Sequence, residues 1–322
     1  MDRRAWTLLL SLGAIWGASY LFIEIGLRDL SPGMIAFLRV ALAAVVLVAL
    51  AKARTALGGF GDAVGWVFLI ALAQVSAPFV LIAAGQQEIN SSLAGILVAS
   101  APLFTALLAI RVDAAERAEG MRLVGVVLGV IGVGLLLGVD LSGSGDELLG
   151  GLAVLLAGLG YAVGGLLAKH KLADRPPIGV AAWVLTAGAV LLVPAALLGM
   201  PSSAPGIGPV AAVVALGVIG TGIAFAIFYE LIATVGPART FIVTYLAPAF
   251  AVVYGVTLLD EEISVATIVG LALILFGSYL AAEGRNPLRR RSIAAELAPA
   301  AQDGSGSVAV GVELTGEPVE RR

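Results

Sequence analysis

The sequence contains no cysteine and a single histidine, His170. The first absence excludes disulfide scaffolds, thiolate nucleophiles, zinc ribbons and iron–sulfur ligation. The second excludes an H-E-x-x-H metal helix and any histidine cluster. Charge is also scarce. Asp, Glu, Lys and Arg make up 13% of the chain, about half the share usual in soluble proteins. The net charge of −3 is too small to name a partner. No G-x-x-x-x-G-K-[ST] run is present, so direct drive by ATP is not expected. No cofactor, no metal and no nucleic-acid partner are expected.

What fills the chain instead is apolar. Of 322 residues, 60% are hydrophobic, and the mean hydropathy is +1.03. That leaves too little polar surface for a soluble domain and points to an all-α integral membrane protein. With about 20 apolar residues per crossing, the sequence divides into ten spans. They cover residues 5–26, 32–51, 62–84, 90–110, 122–139, 147–169, 177–199, 208–233, 238–259 and 263–282. Asp2, Arg3 and Arg4 precede an apolar run too long for a signal-peptide core, so the first span is read as uncleaved. Residues 284–322 hold "RNPLRRR" and a Gly/Ser/Glu/Ala-rich stretch, read as a disordered cytoplasmic tail.

Lys and Arg set the orientation. With a cytoplasmic N-terminus, 17 of the 19 fall on the inside, Arg28 alone lies in an outer loop, and Arg39 lies within a span. Both termini are therefore expected in the cytoplasm, and Ala/Gly/Val/Arg-rich usage points to a bacterial cytoplasmic membrane.

The chain also repeats itself. At an offset of 146, "VASAPLFTALL" meets "TYLAPAFAVVY", so that Pro102 falls on Pro248, Phe79 on Phe225 and Ile96 on Ile242. The acidic turns at Glu116 and Glu261 match within one residue, and Gly125 and Gly270 each lie nine positions beyond. Two repeats of five spans follow, 1–140 and 147–283. Five is odd, so the second repeat enters the membrane inverted, as in many secondary transporters with a midplane site. Pro102 and Pro248 each lie about 18 Å from a membrane face. Each removes one backbone donor and frees a carbonyl, so both are read as midplane helix breaks, with a plain packing kink as the alternative.

These stretches resemble the EamA family of the drug/metabolite transporter superfamily. The resemblance is carried by "IWGASYLFIEIGL", "SPGMIAFLRVALAA", "NSSLAGILVASAPLFTALLA" and "TYLAPAFAVVYGVTLLDEEISVATIVGLALILFGSYLA", and it spans residues 5–282. It implies ten helices, inverted five-plus-five topology and transport of small metabolites, often as export. The family's Gly-Glu-Arg turns read Ala115-Glu116-Arg117 and Asp260-Glu261-Glu262 here, and Glu230 stands where a small residue is usual.

Charges within spans are costly and are functional candidates by default. Glu24 and Arg39 lie at comparable depth on consecutive spans and are read as a gating or coupling pair, with a static brace as the alternative. Arg39 facing an anionic substrate group is a third reading. Glu230 is read as a protonatable coupling site, with pairing to Arg239 or snorkelling as alternatives, so protons are a candidate coupling ion. Trp16, Tyr20, Gln74, Tyr161 and Tyr245 are the substrate-pocket candidates, because aromatic walls with few polar groups suit small organic ligands. Packing between helices is the alternative for each. The glycines of "GVVLGVIGVG" and "GYAVGG" are read as close helix contacts. The expected function is a secondary transporter working by alternating access, most readily an exporter, with an importer or exchanger as runner-up. A membrane-embedded lipid enzyme has too few acids, bases and nucleophiles within the spans.

Overall fold

The computed structural model describes residues 1–112, 120–140 and 145–283. Among them ten principal helices are present and no strand. They are α1 (Arg3–Gly26), α2 (Pro32–Ala53), α3 (Gly61–Gly85), α4 (Ser91–Val98, resuming at Ala101–Val112) and α5 (Met121–Leu135). In the second half they are α6 (Gly145–Lys171), α7 (Pro177–Leu198), α8 (Ile207–Val235), α9 (Val243–Leu258) and α10 (Val265–Glu283). The first eight are long and apolar enough to cross a membrane, and the last two are shorter. The expected boundaries hold within a few residues. The tail, "RNPLRRR" and the Ala115-Glu116-Arg117 turn lie outside the described residues.

Where a helix begins at a membrane face, its first N–H groups need an acceptor. Side chains supply one. Asp2 Oδ1 accepts from Ala5 N, Ser31 Oγ from Met34 N, Asn90 Oδ1 from Leu93 N and Ser264 Oγ from Thr267 N. Large apolar side chains such as Val45, Leu149, Leu197 and Leu198 stay exposed on the outside of the bundle, as a lipid-facing surface requires.

The helices alternate between two ends. At the end where α1 begins, Arg175 pairs with Asp62 at 2.7 Å and Trp183 Nε1 donates to Leu57 O at 3.0 Å. At the far end, Ser31 Oγ donates to Gly199 O, and Asp29 Oδ2 accepts from Gly206 N. Within the bundle α5 packs on α10, α2 on α7, α1 on α8 and α9, and α6 on α3 and α4. Glycine permits the closest of these contacts. A Cβ on Gly125 of α5 would lie 2.6 Å from Gly277 O of α10, and one on Gly277 would lie 2.6 Å from Gly125 O.

Two departures from regular helix matter for the site. α3 contains a π turn at Leu72–Ser76 and α8 one at Val218–Ile223. They begin at equivalent positions, 146 residues apart. π turns often mark functional positions, because they widen the helix and free backbone groups. The prolines behave unequally. Pro102 is second in the resumed segment of α4, just past a true interruption at Ala99–Ser100. Pro248 lies inside an uninterrupted α9. The reading of Pro248 as a helix break is therefore corrected. Interrupted carbonyls need partners in lipid. In α4, Ser100 Oγ bonds Leu97 O and Ser278 Oγ of α10 bonds Ala99 O. The equivalent positions in the second half hold Leu246 and, on α5, Gly132, which packs against Gly270 of α10. Neither offers a hydroxyl, and α9 stays closed.

Candidate functional site

Arg39 on α2 is 9% exposed. Its Nε donates to Thr221 Oγ1 at 2.9 Å, within the π turn of α8, and its guanidinium lies 3.9 Å over the Phe79 ring of α3. Thr221 Oγ1 in turn donates to Leu216 O. Tyr20 of α1 and Tyr161 of α6 lie within electrostatic reach. Among the described residues no carboxylate pairs with Arg39, and Nε–H is the one of its five donors with a hydrogen-bonded partner. Phe79 and the two phenols give partial compensation for a buried cation. Side chains of α1, α3, α6 and α8 thus surround the guanidinium.

The expected Glu24–Arg39 pair is not formed. Arg39 sits at the level of Phe79. Glu24 sits at the level of Gln86, seven residues further along α3 and past its end, about 10 Å by helical rise. Near Glu24 lie Gln86, Arg28 and Glu261.

The aromatic candidates fall into two matching contacts. Phe79 meets Tyr161 edge-on, with ring centroids 6.4 Å apart and planes at 71°. Phe225 meets Trp16 with centroids 6.2 Å apart and planes at 70°. Phe79 and Phe225 are equivalent under the 146 offset, and Tyr161 and Trp16 are equivalent within one position. Each contact joins the first half of the sequence to the second. Trp16 also touches Phe228, and Tyr229 stacks on Phe225. The ring of Tyr20 lies against Gly95 of α4.

Two candidates lie elsewhere. Gln74 is in the π turn of α3 and packs on Gly164 of α6. Tyr245 meets Tyr279 of α10, with centroids 6.4 Å apart, and joins neither aromatic contact. Glu230 is near the starting end of the bundle, 3.4 Å from Arg4. The partner is Arg4, not Arg239, whose pairing was one of the alternatives. Arg239 lines the same cleft of about 320 Å³ at that end.

Sequence reasoning missed the far-end cluster. Glu261 accepts from Ser91 N at 2.8 Å and Ser92 N at 3.0 Å, and bonds Ser92 Oγ. The loop after α9 thus caps the start of α4. Asp260 places Glu261 there by adopting φ +54°, a left-handed conformation where glycine is easiest and Asp is tolerated. That is the position of the glycine in the Gly-Glu-Arg turn, so the signal was present in the motif.

The chain matches the EamA-like transporter family twice, over residues 4–138 and 148–282. It belongs to the EamA-like transporter family. Curated relatives agree along nearly their whole length. An E. coli protein named "Uncharacterized inner membrane transporter YedA" is 27% identical over 92% of this chain and 95% of its own. The Bacillus subtilis "Uncharacterized transporter YoaV" is 23% identical over 84% of this chain and 94% of its own. An E. coli "Probable amino-acid metabolite efflux pump" is 26% identical over 87% of this chain and 95% of its own. A crystal structure 22% identical in sequence shares the fold, with a TM-score of 0.63 over 91% of this chain and 99% of that one. As an EamA-like protein the chain is a multi-pass membrane transporter for a small molecule. The buried Arg39 with its aromatic neighbours is the constellation that fits such a task.

Proposed function

We propose that the chain is a secondary transporter that exports a small, amino-acid-like metabolite bearing a carboxylate, with Arg39 as the group that holds it. The supporting observation is the guanidinium itself. A buried cation without an ionic partner costs several kcal/mol, and a planar fork with unused donors suits a carboxylate. Tyr20, Tyr161, Trp16, Phe79 and Phe225 would wall the organic part of the substrate, and Thr221 would orient the fork. Gln74 would line the α3 side through its π turn. The amino-acid class is also that in the name of one E. coli relative.

In this reading residues 1–140 and 147–283 are inverted five-helix repeats that rock about the Arg39 region. The paired aromatic contacts and the paired π turns support that symmetry. The Lys and Arg bias supports a cytoplasmic N-terminus, so the far end faces outward. In this reading the protein moves its substrate unchanged, as the transporter family it belongs to suggests.

The test is metabolite profiling of cells and medium. Wild type is compared with an equally abundant Trp16→Ala/Arg39→Ala variant. A carboxylate-bearing class enriched in the medium with wild type alone is the expected result. Enrichment of that class inside the cells would make the protein an importer and overturn the direction. No difference would overturn the site.

A further inference from the structure

The far end of the bundle holds two buried acceptor atoms that no donor meets. Glu24 Oε2 and Gln86 Oε1 are both buried and without a hydrogen-bond partner. Gln86 is 3% exposed, and its Nε2 donates to Tyr20 O at 3.0 Å. That carbonyl fixes the amide's orientation, because reversing it would place oxygen against oxygen. The same amide lies within hydrogen-bonding reach of the Glu24 carboxyl. The charged groups that act on Glu24 are Glu261, from the loop after α9, and Arg28, at the end of its own helix. The outer turns of α4 and α8, packed beside α1, carry no ionisable side chain, while α9 carries Tyr254 and the segment after α3 carries Glu88.

An orphaned acceptor in a buried site costs about 1–3 kcal/mol, and more when ionised. Adding one proton removes the problem. A protonated Glu24 becomes a donor, and Gln86 Oε1 is an unmet acceptor on the adjacent amide. The neighbouring carboxylate of Glu261 is already engaged as an acceptor. Both oxygens of Glu261 are occupied by donors at the start of α4, where a helix N-terminus favours the anion. A metal ion fits less well. Sodium- or calcium-like cations gather about six oxygens, and no group of three acidic or histidine side chains occurs among the described residues.

We propose that Glu24 is the proton-binding group of this transporter, and that its protonation, shared with Gln86, keeps the far end tied through Glu261 and the start of α4. Deprotonation places a second anion beside Glu261 and leaves one oxygen of the buried carboxylate, Oε2, without a donor. Opening the far end to water relieves both. The proton enters from, and returns to, the aqueous phase at that end. This rests on the transport reading above, and gives it a proton-sensitive gate at the far end.

The absence of cysteine allows a test that involves no substrate. Ala94 of α4 is fully buried one turn below Asn90, while Gly208 at the start of α8 faces open space. Single Ala94→Cys and Gly208→Cys variants in purified, reconstituted protein are labelled with a maleimide, and the ratio of their rates cancels the reagent's own pH dependence. Between about pH 5 and about pH 8, which spans ordinary and environment-shifted carboxyl groups, the ratio is expected to rise several-fold. In a Glu24→Gln background, which supplies the amide donor permanently, it should stay at the low-pH value throughout. A ratio independent of pH overturns the proposal. So does unchanged pH dependence in Glu24→Gln, or a ratio that follows sodium at fixed pH. If Glu24→Gln does not fold, Gln86→Leu is the second variant. Retention of the wild-type pH response there also overturns the shared proton. Failure of the metabolite experiment with a pH-sensitive ratio would sink the substrate reading alone.

Discussion

Arg39 and Thr221 are joined by one hydrogen bond, Nε to Oγ1 at 2.9 Å, across 182 positions of sequence. The bond ties α2 of the first half to the π turn of α8 in the second. It aims the guanidinium while leaving most of its donors unused. In the proposed reading, substrate recognition and the contact between halves meet at one side chain.

Arg39→Met separates function from folding. An isolated buried charge is expensive, and an apolar side chain of similar length removes that cost. The expected outcome is a melting temperature equal to or above wild type, with transport lost. Arg39→Lys should also lose most activity, because a point charge does not reproduce the planar fork. Thermal unfolding in detergent and an efflux assay check both.

The two aromatic contacts predict unequal losses. Phe79→Leu removes the ring beneath Arg39 as well as the edge of Tyr161. Phe225→Leu removes contacts to Trp16, Phe228 and Tyr229 but leaves the ring beneath Arg39 in place. An aromatic pair is worth about 0.5–1.5 kcal/mol beyond burial, and a desolvated cation–ring contact adds about as much again. Phe79→Leu should therefore weaken apparent substrate affinity more than Phe225→Leu at similar expression, as measured by concentration-dependent flux.

Much of this architecture was legible in the sequence. Ten spans, their order and the duplicated segments follow from hydropathy and from repeated Pro, Phe and Gly positions. Span 3 was expected at 62–84 and runs from Gly61 to Gly85. The site was less legible for definite reasons. A π turn has the same apolar composition as the helix around it, so neither Leu72–Ser76 nor Val218–Ile223 announces itself. Thr221 is an ordinary small residue until folding sets it against Arg39. Phe79 and Phe225 were visible as repeat equivalents, but their partners lie on other helices. Arg39 and Glu24 seemed matched in depth by counting from loop ends, and the true register differs by about two helical turns.

Asp260 adopts φ +54°, so Asp260→Gly should remove backbone strain. Left-handed geometry costs a side-chain-bearing residue about 1 kcal/mol, less for Asp than for others. The expected outcome is a small gain in melting temperature with transport unchanged. Asp260→Val should lower stability by more than that gain, because a branched side chain tolerates the conformation poorly.

Glu261→Ala should unfasten the start of α4. Loss of a helix cap costs about 0.5–2 kcal/mol, and here two backbone donors and one hydroxyl lose their acceptor together. Hydrogen exchange should accelerate at Ser91 and Ser92, while amides of α2 and α7, at the well-packed side of the bundle, remain protected.

The central claim is that Arg39 reads a carboxylate. Counterflow in proteoliposomes tests it most directly, using amino acids paired with the amines left when the carboxylate is removed. The account predicts that at least one amino acid drives exchange, that its amine does not, and that Arg39→Met abolishes the difference. Equal exchange of acid and amine by the wild type would contradict it.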